Sequence, residues 1–166
     1  KENLDVGVCV NHNYQQLNNN IIEKSCFDSV YGGYYKIGEA LNYQSRENQE
    51  HGTIQGVCPG NWHIPTRIEF NKLIDYCGGS LVAGGKLKAV DALWLPPNTG
   101  ATNESGFTGL PGGANWVNKI SEVGKKCWLT SCSDCDPPYE SQAAIFELAF
   151  DNSKALFESN DDEYCV

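Results

Sequence analysis

The sequence predicts one α+β domain, 1–166, in which helices and antiparallel strands occupy separate parts of the chain. Two observations lead to this fold class. A capped helical pattern occupies 65–79, and three strand-like runs follow one another near the C-terminus, at 126–132, 142–150 and 154–159. Strands without helices between them favour an antiparallel sheet over alternating βαβ units.

Two helices are predicted in the first half of the chain. The segment 37–47, IGEALNYQSRE, has helix-forming composition with apolar residues on one face. The second helix has a clear start, because Thr66 can act as the N-cap, Glu69 completes a capping box and Pro65 precedes both. Gly78 and its following glycine then supply a stop signal.

The stretch from Gly78 to Gly124 is predicted to be largely irregular. It is rich in Gly, Asn, Ser and Pro, and no helical or strand period persists in it. A segment of this length without regular structure is often functional. The strands at 142–150 and 154–159 are separated by Asp-Asn-Ser at 151–153, which predicts a hairpin turn.

The charge balance excludes some partners. Twelve basic residues stand against 21 acidic ones, a net charge of −9. Binding to nucleic acid phosphates needs a clustered basic surface, so we expect no nucleic acid partner. No apolar run approaches the ~20 residues of a membrane helix, so we expect no membrane insertion by this segment. Because the chain does not begin with methionine, we expect it to be processed or cropped.

Eight cysteines, an even number, predict disulfide bonds in an oxidising compartment. The rival interpretation is a [2Fe–2S] electron carrier, because Cys127-x4-Cys132-x2-Cys135 followed by Cys165 has plant-type ligand spacing. The bulky Trp128 fits poorly in a cluster loop, so bridges are favoured and the cluster is a remote alternative. Zinc is not indicated, since no histidine has ligand spacing from a cysteine pair. The expected bridge halves are Cys9, Cys26, Cys58, Cys77, Cys127, Cys132, Cys135 and Cys165.

Six segments of the chain resemble one known family. They are ENLDVG (2–7), YGGYYKIGEAL (31–41), CPGNWHIPTRIEFNKLIDYCGG (58–79), VAGGKLK (82–88), NTGATNESGFTGLPGG (98–113) and the Trp-Leu-Thr-Ser strand at 128–131. In this order they resemble the Fibrobacter succinogenes major paralogous domain family. Within them, the residues expected to shape the structure are Trp62, His63, Pro65, Thr66, Glu69, Gly112 and Gly113. We expect Trp62 to pack in the core and His63 to orient the turn before the helix, although a sugar contact is the alternative.

The resemblance implies a C-type-lectin-like fold, stapled by disulfides, in a secreted or surface-anchored bacterial module. Members normally carry one more strand at each end, so this chain is expected to lack its outermost terminal strands. The lectin-like fold implies a Cys58–Cys165 bridge. The other expected pairs are Cys9–Cys26, Cys77 with Cys127, Cys132 or Cys135, and the remaining two with each other, Cys132–Cys135 being the tight option. Eight cysteines allow 105 connectivities, so several pairings stay open.

The expected function is non-catalytic, because no nucleophile, base and acid are suggested by spacing. We expect adhesion, with a glycan or a surface protein bound on the 80–124 loop surface through Trp94, Asn98, Asn103, Glu104, Asn115 and Trp116. Calcium is possible at Asn98, Asn103 and Glu104, but calcium prefers six to eight oxygens and hydrogen bonding within the loop is favoured. The alternative is a pilus or filament subunit that binds copies of itself.

Overall fold

The computed structural model describes residues 27–28, 30–47, 50–116, 119–134 and 142–160. The helices precede the main sheet along the chain, which confirms the α+β class. The elements are β1 (Phe27–Asp28), β2 (Gly32–Gly33), α1 (Ile37–Ala40), α2 (Arg67–Tyr76), α3 (Ser80–Leu87), β3 (Ala114–Trp116), β4 (Lys119–Ser121), β5 (Lys126–Asp134), β6 (Ala143–Ala149) and β7 (Ala155–Asn160).

The main sheet is antiparallel, with strand order β5-β6-β7. Every residue of β6 is buried, so the sheet is covered on both faces at its centre. The predicted hairpin turn at 151–153 is confirmed, because Leu148 pairs with Ala155 and the chain reverses between them. The side-chain oxygen of Asn152 accepts a hydrogen bond from the Lys154 N–H at 2.8 Å, which closes this turn.

Two apolar clusters form the core, one on each face of the sheet. On the first face Phe70 of α2 stacks on Phe146 of β6, with ring centroids 4.5 Å apart. Phe157 of β7 meets Phe146 edge-on at 5.9 Å. Ring pairs in these geometries contribute about 0.5–1.5 kcal/mol beyond the area they bury. The second cluster contains Ile37, Ala40, Leu41, Ile54, Cys58, Ile64, Cys132, Ala143 and Ile145.

Helix α2 has the predicted capping box. The Thr66 hydroxyl accepts from the Glu69 N–H at 3.2 Å, and the Glu69 carboxylate accepts from the Thr66 N–H at 2.9 Å. These two bonds satisfy N–H groups that a helix otherwise leaves without partners. Gly78, at φ +96°, ends the helix in the left-handed region that glycine tolerates. Gly113, one of the residues expected to shape the structure, has φ +67°, and its N–H donates to the Lys126 carbonyl at 2.9 Å.

The predicted helix at 37–47 is wrong beyond its first turn. Helix α1 ends at Ala40, and the next residues include Asn42 at φ +52° and Tyr43 at φ +56°. A right-handed helix cannot pass through two consecutive left-handed residues. Composition alone did not indicate this break.

The predicted irregular region also needs correction, because it begins with a helix that the sequence analysis missed. Helix α3 contains Gly84 and Gly85, which lower helix propensity. Both glycines are buried against backbone: a Cβ on Gly84 would lie 2.0 Å from the Lys154 oxygen, and one on Gly85 would lie 2.3 Å from the Gly100 oxygen. The glycines therefore serve close packing, and the irregular part of the loop begins at Lys88.

Within the part of the chain that the structure describes, no helix is long and apolar enough to cross a membrane.

Candidate functional site

The long loop after α3 is anchored by a buried lysine. Lys88 is fully buried, and its ammonium donates hydrogen bonds to three backbone carbonyls. The acceptors are Thr99 at 3.0 Å, Ala149 at 2.8 Å and Asn152 at 2.8 Å. One side chain therefore ties the start of the loop to its middle and to the β6–β7 hairpin.

Burial in the fold changes the acidity of Lys88. Burial lowers the pKa of Lys88 to about 8, although the Asp151 carboxylate acts in the opposite direction. The ammonium also lies 5.3 Å from the centroid of the Trp94 ring, within cation–π range. The three carbonyls and the ring together replace the water that this cation gives up on folding.

Trp94 was predicted to contact a ligand, and the structure shows that this is wrong. Its side chain is only 3 % exposed. The indole N–H donates to the Gly109 carbonyl at 3.0 Å, which satisfies the one polar group of the buried ring. Trp94 is thus a core residue that holds two parts of the loop together, and it has no open face on which a sugar could stack.

The predicted loop asparagines bond within the loop. The Asn103 side chain donates to the Thr108 hydroxyl at 2.9 Å and accepts from the Thr108 N–H at 2.8 Å. The Asn98 side chain donates to the Ala89 carbonyl at 3.0 Å. Its buried oxygen has no hydrogen-bond partner among the described residues. The interpretation that these amides stabilise the loop is confirmed for Asn103 and for the donor group of Asn98.

Glu104, the third residue considered for calcium, has an exposed side chain whose oxygen lies 3.7 Å from the Lys86 ammonium. Its carboxylate pairs with Lys86, whereas the amides of Asn98 and Asn103 donate to other groups, the Ala89 carbonyl and the Thr108 hydroxyl. In the described ranges, no three His, Cys, Asp or Glu residues are arranged to hold a metal ion. Calcium at the loop stays a prediction.

Asn115 and Trp116 lie in β3, where their backbones pair with Ile120 and Lys119. They are placed in the hairpin that follows the loop, and their role as ligand contacts stays a prediction.

The loop exposes apolar side chains that the sequence analysis did not select. Val90 is 64 % exposed, Leu95 45 % and Val123 40 %. The Leu95 N–H donates to the Gly124 carbonyl at 2.8 Å, so Leu95 lies against the turn that contains Val123. We use "loop surface" for the exposed side of 88–113 together with the turn at 122–124. The sequence did contain a signal for them. Isolated apolar residues between turn-forming residues can lie on the surface instead of in the core.

The predictions for Trp62 and His63 have different outcomes. Trp62 is 40 % exposed, so the prediction that it packs in the core is wrong. It lies in the turn before Pro65, where the chain reaches α2 over the surface. The prediction for His63 is confirmed, because its Nε2 lies 3.0 Å from Glu69 Oε1 and so braces the carboxylate of the capping box. Burial by itself raises the pKa of Glu69, but the bonds from Thr66 and His63 outweigh it, and the net pKa is lowered.

The described cysteines overturn part of the predicted pairing. Cys58 is disulfide-bonded, and its predicted partner Cys165 lies outside the described residues. Cys77, Cys127 and Cys132 are buried free thiols, so the predicted bonds of Cys77 to Cys127, Cys132 or Cys135 and of Cys132 to Cys135 are wrong. Cys9, Cys26 and Cys135 also lie outside the described residues.

The free thiols behave as core side chains. Cys77 and Cys127 belong to the first core cluster and Cys132 to the second, on the opposite face of the sheet. Burial raises the pKa of Cys127 and of Cys132 to about 12. The Cys132 thiol donates to the Ile64 carbonyl at 3.2 Å. Because Cys127 and Cys132 face opposite sides of β5, they do not converge as ligands of one iron–sulfur cluster would.

Searches among curated proteins and among solved structures gave no match. The family model described as the Fibrobacter succinogenes major domain matches residues 3–128. This range contains all three helices, Lys88 itself and the whole of the loop surface, and it covers more than half of the 166 residues. The chain therefore belongs to the Fibrobacter succinogenes major domain family.

Proposed function

We propose that this domain is a non-catalytic extracellular binding module that recognises a glycan or a surface protein through its loop surface. The observation that carries the proposal is the Lys88 anchor, which holds a long irregular loop by three hydrogen bonds. A loop that is ordered before binding loses less conformational entropy when it binds. Such a rigid, exposed loop suits recognition.

The fold within this proposal is C-type-lectin-like. Its support is the family membership together with a small antiparallel sheet, two helices packed on one face of it, and a long loop between them. An extracellular address is supported by the disulfide at Cys58, since such bonds persist mainly in oxidising compartments. The net charge of −9 suits a surface exposed to the medium.

The chemistry of the loop surface favours contacts that are mainly apolar. Val90, Leu95 and Val123 offer exposed aliphatic groups beside the polar backbone of the turns. The aliphatic groups can cover the C–H face of a sugar ring or an apolar side chain of a protein, and Asp91 and Glu104 at the margin can accept hydrogen bonds.

The test is a binding screen of the purified, oxidised domain on a glycan array and on bacterial and host cell surfaces, with calcium and again with chelator. We expect binding to at least one of these, and loss of about tenfold or more in affinity with Leu95→Asp, because a charge replaces an aliphatic contact. Ile68→Asp is the matched control, since Ile68 is 37 % exposed on α2, away from the loop. Absence of binding by the folded protein in both conditions, or equal binding by Leu95→Asp, would contradict the proposal.

A filament subunit is the second candidate. It is favoured by β7, which is the outer strand of the sheet in the part of the chain described here. An outer strand can accept a strand from a neighbouring copy. Electron microscopy of the concentrated domain would support this candidate if it showed regular filaments, and monomers at all concentrations would remove it.

A further inference from the structure

A groove lies between the end of α1 and the end of β5. Its volume is about 520 Å³, within the range of sites that bind small ligands. Ile37 and Leu41, both buried members of the second core cluster, form its apolar base. Gln44, Ser45, Arg46 and Asp134 supply its polar lining, and Tyr43 lines it as well. We call this feature the Tyr43 groove.

Tyr43 is held in an unusual position. Its side chain is 80 % exposed, although a phenol ring gains stability from burial. Its backbone has φ +56°, a left-handed conformation that costs a non-glycine residue about 1 kcal/mol. The Tyr43 N–H donates to the Gly38 carbonyl at 2.7 Å, and the ring edge lies 3.6 Å from where a Cβ on Gly38 would stand. One side of the ring is thus supported, and the rest faces solvent.

The polar side of the groove is fixed as well. Arg46 Nε donates to Asp134 Oδ1 at 2.5 Å, which joins the segment after α1 to the end of β5. The next residue, Glu47, donates its N–H to the Cys132 carbonyl at 2.8 Å. The segment that carries Gln44 and Ser45 is therefore attached to the sheet and keeps its place when a ligand is absent.

We infer that the Tyr43 groove binds one neutral hexopyranose unit of a polysaccharide. The C–H face of the sugar ring stacks on Tyr43, and its hydroxyls bond with the Asp134 carboxylate and with the side chains of Gln44 and Ser45. This assignment rests on the proposed binding function but not on the loop surface, which it leaves as a separate contact region.

The charges select a neutral sugar. Asp134 and Arg46 neutralise each other, so the groove offers no excess positive charge to a carboxylated or sulfated sugar. The net charge of −9 repels polyanions from the whole domain. A protein ligand would need a pocket that encloses an apolar anchor side chain. Here the aromatic group lines an open groove and is 80 % exposed, an arrangement that fits the C–H face of a pyranose ring.

The test is affinity electrophoresis of the native domain in gels that contain soluble β-glucan, xylan, mannan or alginate. We expect at least one neutral polysaccharide to retard the wild type and alginate to leave it unchanged. Tyr43→Ala weakens the retardation about tenfold, and Tyr43→Phe keeps most of it because the ring remains. Tyr76→Ala is the matched control, because Tyr76 is 76 % exposed on α2 and should have no effect.

Tyr43→Gly separates a binding role from a structural one. Glycine adopts φ +56° without strain, so this variant should unfold at the same or a higher denaturant concentration while it loses the retardation. A Tyr43→Gly variant that loses both binding and stability would overturn the inference.

Other outcomes would also overturn it. They are no retardation by any neutral polysaccharide, retardation of Tyr43→Ala equal to that of the wild type, or capture of peptides that depends on Tyr43. Failure of the groove differs from failure of the proposed function. If Leu95→Asp abolishes a binding that Tyr43→Ala leaves intact, the groove inference falls and the loop surface stands.

Discussion

The ammonium of Lys88 lies 2.8 Å from the backbone oxygen of Asn152, in the turn that joins β6 to β7. This contact spans 64 positions of the chain and is one of three that the same ammonium makes with carbonyl groups. Because the three acceptors lie in the loop, at the end of β6 and in the hairpin, a single side chain determines how these parts meet. The first two predictions concern this residue.

Lys88→Met should destabilise the domain by about 3 kcal/mol at pH 7, because it leaves three carbonyls without their donor in a buried place. The free energy of unfolding in urea, followed by tryptophan fluorescence, measures this change. Lys154→Met is the control, since Lys154 is exposed. A loss below about 1 kcal/mol for Lys88→Met would show that the anchor contributes little.

The contribution of Lys88 should also depend on pH. Its pKa is lowered from 10.5 in an unfolded chain to about 8 in the fold. Between these values the unfolded chain binds more protons than the folded one, so stability from this group rises with pH. The difference in unfolding free energy between the wild type and Lys88→Met should grow from pH 8 to 10.5, by about 1.4 kcal/mol per pH unit at most. A constant difference across this range would contradict the lowered pKa.

Gly84→Ala and Gly85→Ala should each destabilise the domain, by about 2 kcal/mol or more, although alanine favours helices. The reason is steric, since the new methyl groups would meet the backbone oxygens of Lys154 and Gly100. Thermal unfolding measures the effect. Gly60→Ala is the matched control, because a Cβ there meets nothing within 4 Å and the change should be nearly neutral. An equal or higher melting temperature for Gly85→Ala would show that α3 does not pack as closely as described.

Thr66→Ala should cost about 1–2 kcal/mol of stability, since it removes the N-cap of α2.

The carboxylate of Glu69 adds a pH dependence, because its pKa is lowered in the fold. Its contribution is complete above the unfolded pKa of 4.5 and is lost as the pH falls through the lower folded value. Acid titrations followed by circular dichroism should show this loss in the wild type and a weaker one in Glu69→Gln. Identical acid profiles would exclude Glu69 as the cause.

Cys77, Cys127 and Cys132 should resist alkylation in the native domain at pH 8. Burial raises the pKa of each thiol, which keeps it protonated and unreactive. Mass spectrometry after treatment with N-ethylmaleimide should find these three positions unmodified until denaturant is added. The denatured domain serves as the control for reagent activity. Rapid native labelling of Cys127 would show that its place in the core opens readily.

Local signals in the sequence predicted the parts that depend on local structure. The Thr66–Glu69 capping box and the turn at 151–153 are set by residues close together in the chain, and both are confirmed. The α+β class followed from the order of such elements. Helix α3 was missed because Gly84 and Gly85 are explained only by backbone groups far away in sequence.

The candidate site was harder to predict, because exposure is a tertiary property. Trp94 and Trp62 have the same side chain, yet Trp94 is buried in the first core cluster and contacts Lys88 and the Gly109 carbonyl, whereas Trp62 is 40 % exposed. The Tyr43 groove was missed for a related reason. The composition of 37–47 predicted a helix, so the left-handed backbone conformation of Tyr43 was not expected.

The Lys88 anchor has a consequence for which residues of the loop can be substituted. All three of its acceptors are main-chain oxygens, which every amino acid provides whatever its side chain. Exposed positions of the loop can therefore be randomised without removing the partners of the anchor. A display library built on Val90, Asp91, Leu95 and Thr99 would keep its framework, and the domain offers a scaffold for engineered binders with new specificities.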